Sequence, residues 1–452
     1  MAKINRREFL TRSSAAAAVF AATPGIAYSQ MVGGAGGFTD YRALVCLFMF
    51  GGNDSYNMLV PRSNAEYNVY AQSRQNLAIA QNDLLPIDPV VSGGVDYGVH
   101  PSMGGLQSLF NTGKAAFVTN VGPLIEATTK DQFFDKSVAL PPQLFSHNDQ
   151  QDQWLSLKGN APSATGWGGR MADLIRTGVA DQQMATNASL FGSNLFQSAD
   201  ETVAYVMGPN GPLQFEGFSN DPDSILFQQK EAFGRIVDAQ YDSVYERAFA
   251  EVQRRAIDAA DTVTAAIQSA PTLNTVFPQS QLGTQLQTVA RLIAVRDQLQ
   301  MKRQIFFVAT GGFDSHDDQN ENQPGLLGGI SAGLQAFYDA TVELGLSDVV
   351  TTFTQSDFGR TLTSNGDGSD HAWGGNQVVV GDAVLGRTLY GSYPLLQING
   401  PEDVGGGRFI PSTSADQFAA TLAAWFGIED VDLDVVAPNL SNFAVRDLGF
   451  MV

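Results

Sequence analysis

Four apolar runs, none longer than eight residues, limit what this chain can become. Ala43–Phe50 reads A-L-V-C-L-F-M-F without a break and stops at Gly51-Gly52. Ala115–Val121, Gln304–Thr310 (Q-I-F-F-V-A-T) and Val349–Thr354 are of the same kind. A strand with one wet face alternates apolar and polar residues, whereas an unbroken short run needs cover on both faces. Helical patterns provide that cover. One runs from about Leu326 to Gly345 before the fourth strand, and Gln279–Lys302 leads into the third. Strands alternating with helices predict an α/β fold with a parallel sheet.

The middle of the chain has a different texture. Asp223–Ala270 is helical in pattern and nearly free of Gly and Pro, until Pro271–Pro278 breaks it. Roughly 160–300 therefore reads as a helical insertion or cap on one α/β domain spanning 30–452. Ser414 is placed to N-cap a last helix, Ala415–Phe426, ended by Gly427.

At the start, Arg6-Arg7 is followed by Phe9, Leu10 and an apolar run to Ala27, with small residues around Ala27-Tyr28-Ser29. This resembles a twin-arginine export signal over residues 1–29. The run is shorter than the roughly 20 residues that cross a bilayer, so no stable membrane span is expected. The reading predicts a protein exported already folded, through the twin-arginine machinery, to the periplasm or beyond. Lys plus Arg number 26 against 46 Asp plus Glu, a net charge of −20. Such a surface repels nucleic acid and anionic lipid and attracts divalent cations. The single cysteine, Cys46, excludes an internal disulfide and a cysteine-rich zinc cluster, and its place inside an apolar run makes it a core residue.

Two segments echo each other. Gly51-Gly52-Asn53-Asp54-Ser55 follows the first run and Gly311-Gly312-Phe313-Asp314-Ser315 the third. Both put G-G-x-D-S at a strand's carboxyl end, where open α/β sheets bind ligands. Asp and Gly are also ordinary turn residues, but the repeat in matching context favours function. Asp314-Ser315-His316 places a carboxylate and an imidazole on one side of an extended stretch, a pairing suited to zinc or a transition metal. Asp357 follows the fourth run, and Asp370-His371 lies just beyond. Asn365–Asp370 has oxygen side chains at alternate positions, like a calcium loop, but lacks its distal glutamate. Ser146, before His147, is an N-cap or a hydroxyl presented at a helix start. His100, with no carboxylate nearby in sequence, reads as structural. No G-x-S-x-G elbow, P-loop or dinucleotide fingerprint follows a strand.

Taken in order, L-V-C-L-F-M-F-G-G-N-D-S-Y-N, G-V-H-P, S-H-N-D-Q-Q-D-Q-W, G-G-F-D-S-H-D-D-Q, S-D-F-G-R-T and D-H-A-W-G-G resemble an exported bacterial family, domain-of-unknown-function family 1501. That family looks like a distant branch of the alkaline phosphatase and sulfatase superfamily. The resemblance implies a three-layer α/β sandwich with a mainly parallel central sheet, and one or two divalent metal ions (Zn, Mn, Mg or Ca). It implies metal ligation by Asp54, Asp314, His316, Asp357 and His371. No matched motif fixes the nucleophile; Ser146, at a helix start before His147, is the first choice and Ser55 the second, and Arg360 would pair with an anionic ester substrate. The implied activity is hydrolysis of phosphate or sulfate esters. The alternative is a non-catalytic exported metal-binding or surface protein with the same fold. Phe358 stands where the superfamily usually has histidine, which puts a second metal in doubt.

Overall fold

The computed structural model describes residues 37–160, 162–212, 218–219 and 221–452, so the expected export signal lies outside the described residues. In chain order the strands are β1 (Arg42–Met49), β2 (Leu59–Pro61), β3 (Leu85–Ile87), β4 (Tyr97–Val99), β5 (Ala115–Gly122), β6 (Asn187–Ser189), β7 (Tyr205–Val206), β8 (Arg303–Thr310), β9 (Val350–Ser356), β10 (Gly375–Val380), β11 (Leu389–Tyr390) and β12 (Thr413–Ser414). The four apolar runs are β1, β5, β8 and β9. They lie in one sheet of order β11-β5-β10-β9-β1-β8-β6-β7, with β12 also on β5. Only β10 runs against its neighbours, β5 and β9; the other pairings in this sheet are parallel. The strands β2, β4 and β3 form a small antiparallel sheet of their own.

Alternate residues of β1 enter opposite cores, as the two-residue period of a strand requires. Val45, Leu47 and Met49 meet the helices Gly104–Asn111, Gln281–Ala294 and Gln319–Glu343. Leu44, Cys46 and Phe48 meet His147–Ser156, Trp167–Ile175 and Ala415–Phe426. The result is a three-layer α/β sandwich around a mainly parallel sheet. The stretch expected to be a helical insertion, roughly 160–300, instead divides. Its first part supplies β6 and β7, which extend the sheet past β8. Its second part is the helices Ile225–Val237, Val244–Gln268 and Gln281–Ala294. The strand β6 is only Asn-Ala-Ser, so no apolar run announces it, and its pairing comes from the exposed edge of β8. Among the described residues no helix is long and apolar enough to cross a membrane.

The helix Ala415–Phe426 begins at a capping box built by Ser414 and Gln417 and ends at Gly427 with φ 111°. Its first turn holds a buried carboxyl, Asp416, whose Oδ1 accepts from Asn439 N at 2.9 Å. Burial pushes Asp416 up to about 7. The folded protein then holds a proton that the unfolded chain releases at about 3.9, so stability should fall as pH rises from about 4 to about 7 and level off above. The expected loss is on the order of 3 kcal/mol. Urea unfolding at about pH 5 and about pH 8 measures it. Asp416→Asn, neutral throughout, should flatten most of the slope, and an unchanged slope would refute the assignment.

Candidate metal centre

The site grows from the carboxyl edge of the sheet. Register pairs Met49 with Thr310 and with Ser356, so β1, β8 and β9 end side by side. After β1 the chain turns at Gly51 and Gly52, with φ of 115° and 83°. A Cβ at Gly51 would overlap the backbone of Asp314, and one at Gly52 the ring of Phe358. Glycine is required here both for the positive φ and for this close approach. The turn after β8 then delivers Asp314 and His316, the turn after β9 delivers Asp357 and Phe358, and the loop before β10 delivers Asp370 and His371.

Four side chains converge. Asp314 Oδ1 lies 3.4 Å from His147 Nε2, 3.2 Å from His316 Nε2 and 3.4 Å from His371 Nε2. His147, Asp314 and His371 each offer a ligand atom within 4.8 Å of the others. The opposite nitrogen of every ring is anchored on an oxygen. His147 Nδ1 is 2.6 Å from Asp357 Oδ2, His316 Nδ1 is 3.2 Å from Asp370 Oδ1, and His371 Nδ1 is 2.8 Å from the Phe145 carbonyl. Where an Nδ1 donates to its oxygen, the Nε2 of that ring faces inward with a lone pair. Metal-binding histidines are oriented in this way by outer partners.

The inward nitrogens are in conflict without a cation. His316 Nε2 and His371 Nε2 are 2.8 Å apart, and with both Nδ1 atoms donating outward their two lone pairs would repel. Protonating His371 is opposed by burial, which lowers it from 6.5, and by the neighbouring His147, Arg360 and His316; the Phe145 hydrogen bond works the other way. Burial pushes the Asp314 carboxyl up, but the hydrogen bond and charge of Arg360, with His147 and His316, bring it below its ordinary 3.8. Donors about 2.0–2.1 Å from a tetrahedral zinc stand about 3.3 Å apart. The three Asp314 separations match that figure. The close imidazole pair would need to open by about half an ångström.

Over residues 41–433 the sequence matches the family described as "Protein of unknown function (DUF1501)". The chain belongs to DUF1501. No curated protein matches the chain. Among solved structures it is similar to Ps i-CgsB in complex with k-i-k-neocarrahexaose, at 9% identity and TM-score 0.34, covering 87% of this chain and 74% of that one. Ps i-CgsB alone gives 10% and 0.33, covering 88% and 77%. A Bacteroides thetaiotaomicron protein from a locus for metabolism of multiple glycosaminoglycans gives 11% and 0.30, covering 87% and 74%.

In this DUF1501 chain the structure redistributes several expected roles. Arg360 does not face a substrate. It is fully buried; its Nε donates to Gly52 O at 3.0 Å, Nη1 to Ser369 O, and Nη2 to Gly51 O at 2.7 Å and to Asp314. It therefore ties the two glycine turns together and keeps Asp314 ionised. Asp54 stands outside the group. Its Oδ2 is paired with buried Arg74 and accepts from Gln319, which leaves a structural ion pair beneath the site. Asp357 meets the cluster through His147, to whose Nδ1 its Oδ2 is bound. Its Oδ2 also accepts from Gln151 at 2.8 Å and Gly51 N at 3.2 Å, so it orients an imidazole.

Neither serine is presented as a nucleophile. Ser146 Oγ donates to Asp149 Oδ2 at 2.6 Å and makes no cap bond, and buried Ser55 Oγ accepts from Asn376 N at 2.7 Å. His147, expected beside the nucleophile, instead turns Nε2 to within 3.4 Å of Asp314 Oδ1, in a group that could hold a metal ion. Phe145, with φ 72°, turns the chain so that its carbonyl meets His371 while the next helix starts at His147. Phe358, in the position expected of histidine, packs its ring 4.8 Å from that of His147 and 4.7 Å from that of His371, walling two imidazoles in place. The calcium-like loop has another use: Asn365 Nδ2 and His316 Nδ1 both bind Asp370 Oδ1. His100 is buried, which lowers it to about 4, and its Nδ1 accepts from Ser102 N at 3.1 Å.

Proposed function

We propose that the chain is an exported, divalent-metal-dependent hydrolase of phosphate or sulfate esters. The observation that carries the reading is the convergence of three imidazole Nε2 atoms and Asp314 Oδ1 at the open edge of the sheet. Three nitrogens and one oxygen suit zinc or a similar transition ion better than magnesium or calcium, which prefer oxygen. A single centre held by His147, Asp314 and His371 fits the residues, with His316 beside Asp314 and His371. At the second centre implied by Asp54 and Asp357, Oδ2 of each carboxylate is already engaged and only Oδ1 of each is without a partner. A bound divalent ion polarises an ester oxygen and lowers the pKa of the attacking oxygen nucleophile. The chain's own residues hold that geometry: Asp357, Asp370 and the Phe145 carbonyl fix the rings, and Arg360 holds Asp314 as the anion. The resemblance to the phosphatase and sulfatase superfamily supports an anionic ester as substrate. With a net charge of −20, the protein needs local positive charge to admit one.

A second reading, a non-catalytic metal-binding or surface protein, is favoured by the engaged hydroxyl of Ser146 and the buried guanidinium of Arg360. Metal analysis of protein matured through its own export signal, with a panel of aryl phosphates, phosphodiesters and aryl sulfates, separates the two. About one transition ion per chain together with turnover supports the hydrolase. Metal without turnover on any ester leaves the second reading. No bound metal, and no response to added zinc or manganese, overturns the hydrolase and leaves a surface protein in its place. In the same preparation, changing Arg6 and Arg7 to Lys should leave folded precursor in the cytoplasm, and undiminished export would refute the leader assignment.

A further inference from the structure

With Arg360 withdrawn into the fold, an anionic ester needs another cation. Arg408 sits beside His371 and Phe145. Its Nε donates to the His371 carbonyl at 2.9 Å, and its guanidinium lies over the Phe145 ring at 5.4 Å. His371 and Phe145 are the pair joined by the Nδ1 hydrogen bond. The Arg408 charge also helps hold Asp370, the anchor of His316, below its ordinary range. Arg408 thus borders the outer partners of two of the three inward imidazoles.

Its loop is built to hold it. Asp403 is buried, and its Oδ1 accepts the backbone N–H of Gly405 at 2.7 Å, Gly407 at 2.8 Å and Arg408 at 3.1 Å. Oδ2 accepts from Asn399 N at 2.8 Å. Gly405, Gly406 and Gly407 all have positive φ, a path that side-chain-bearing residues adopt only with strain. One carboxylate therefore organises a tight glycine turn whose next residue is the arginine. Arg408 Nη1 donates to Gly405 O at 3.0 Å. Among the described residues no carboxylate forms an ion pair with this guanidinium and no acceptor takes an Nη2 hydrogen. The side chain is only partly buried. A positioned, unpaired, part-exposed guanidinium beside a metal-ligand cluster is a receptor for a planar pair of oxyanion oxygens.

We propose that Arg408 binds the tetrahedral oxyanion, sulfate or phosphate, of the substrate, and so sets specificity for anionic esters. The inference rests on the hydrolase reading for its substrate, though not for the anion site. The test uses the full mature chain loaded with zinc, titrated calorimetrically with inorganic sulfate and inorganic phosphate. Wild type should bind at least one of them, and Arg408→Met should weaken that binding by about tenfold or more, which is about 1.4 kcal/mol. Arg408→Lys should recover part of the loss, since lysine keeps the charge without the fork. Zinc per chain should be unchanged in both variants. In turnover, KM should rise more than kcat falls.

Equal anion binding by Arg408→Met, or no anion binding by wild type, overturns the proposal. Loss of zinc in both variants also overturns it, because Arg408 would then serve only to hold His371. If wild type binds sulfate or phosphate through Arg408 yet hydrolyses no ester, the anion site stands and the hydrolase reading falls.

Discussion

Replacing His371 by alanine is expected to abolish the response of the protein to zinc. A ligand that binds only the folded state at about 1,000 times its Kd stabilises it by about 4.1 kcal/mol. Wild type should show a gain of this order in urea unfolding with zinc, and His371→Ala almost none. Hydrolysis should disappear with the metal. The same substitution removes one of two Nε2 lone pairs that lie 2.8 Å apart. Without metal, the variant should lose little beyond the packing of the ring and its hydrogen bond to the Phe145 carbonyl. A histidine placed for core packing gives the opposite pattern, destabilised whether or not zinc is present. Retention of wild-type zinc content by His371→Ala would sink the metal assignment. Zinc binding should also weaken as pH falls below about 6.5, because protonated imidazole cannot ligate. Burial, which lowers His371, keeps this ring neutral to lower pH than an ordinary histidine.

The second large effect lies beneath the site. Arg74 and Asp54 are both fully buried, and Arg74 also donates to the carbonyls of Thr361 at 3.0 Å and Leu362 at 3.2 Å. Arg74→Met leaves an uncompensated carboxylate and two orphaned carbonyls. Breaking a buried pair from one side costs about 3–5 kcal/mol, which denaturant unfolding should register as a fall in midpoint. The double variant Arg74→Met with Asp54→Asn removes both charges and should recover much of that loss. It should also keep its zinc, since Asp54 belongs to the ion pair. Loss of zinc in a folded double variant would return Asp54 to the ligand set.

The architecture was legible because burial on both faces leaves a local mark. Unbroken apolar runs are sufficient to place β1, β5, β8 and β9. The G-G-x-D-S echo and the histidine-bearing motifs name Asp314, His316 and His371 without reference to any distant contact. The strands β6 and β7 leave no such mark, because they are two or three residues long and borrow their pairing from a neighbour's edge. Arg408 was missed for a related reason. The signal was present as Asp403 followed by Gly405-Gly406-Gly407-Arg408, but it has meaning only once Asp403 is seen to gather the turn.

The amino-acid sequence by itself determined the class of fold, the edge of the sheet where chemistry collects, and the residue types gathered there. Tertiary structure decided which way each side chain faces. Arg360 and Asp314 are 46 positions apart and Asp54 and Arg74 are 20 apart. Nothing local distinguishes a carboxylate meant for a cation from one meant for a guanidinium, since both are aspartates after a glycine turn. The roles separate only when packing brings Arg360 against one and Arg74 against the other. His147 joins the cluster because helix and loop packing bring it to Asp314, a contact between residues that no local spacing relates.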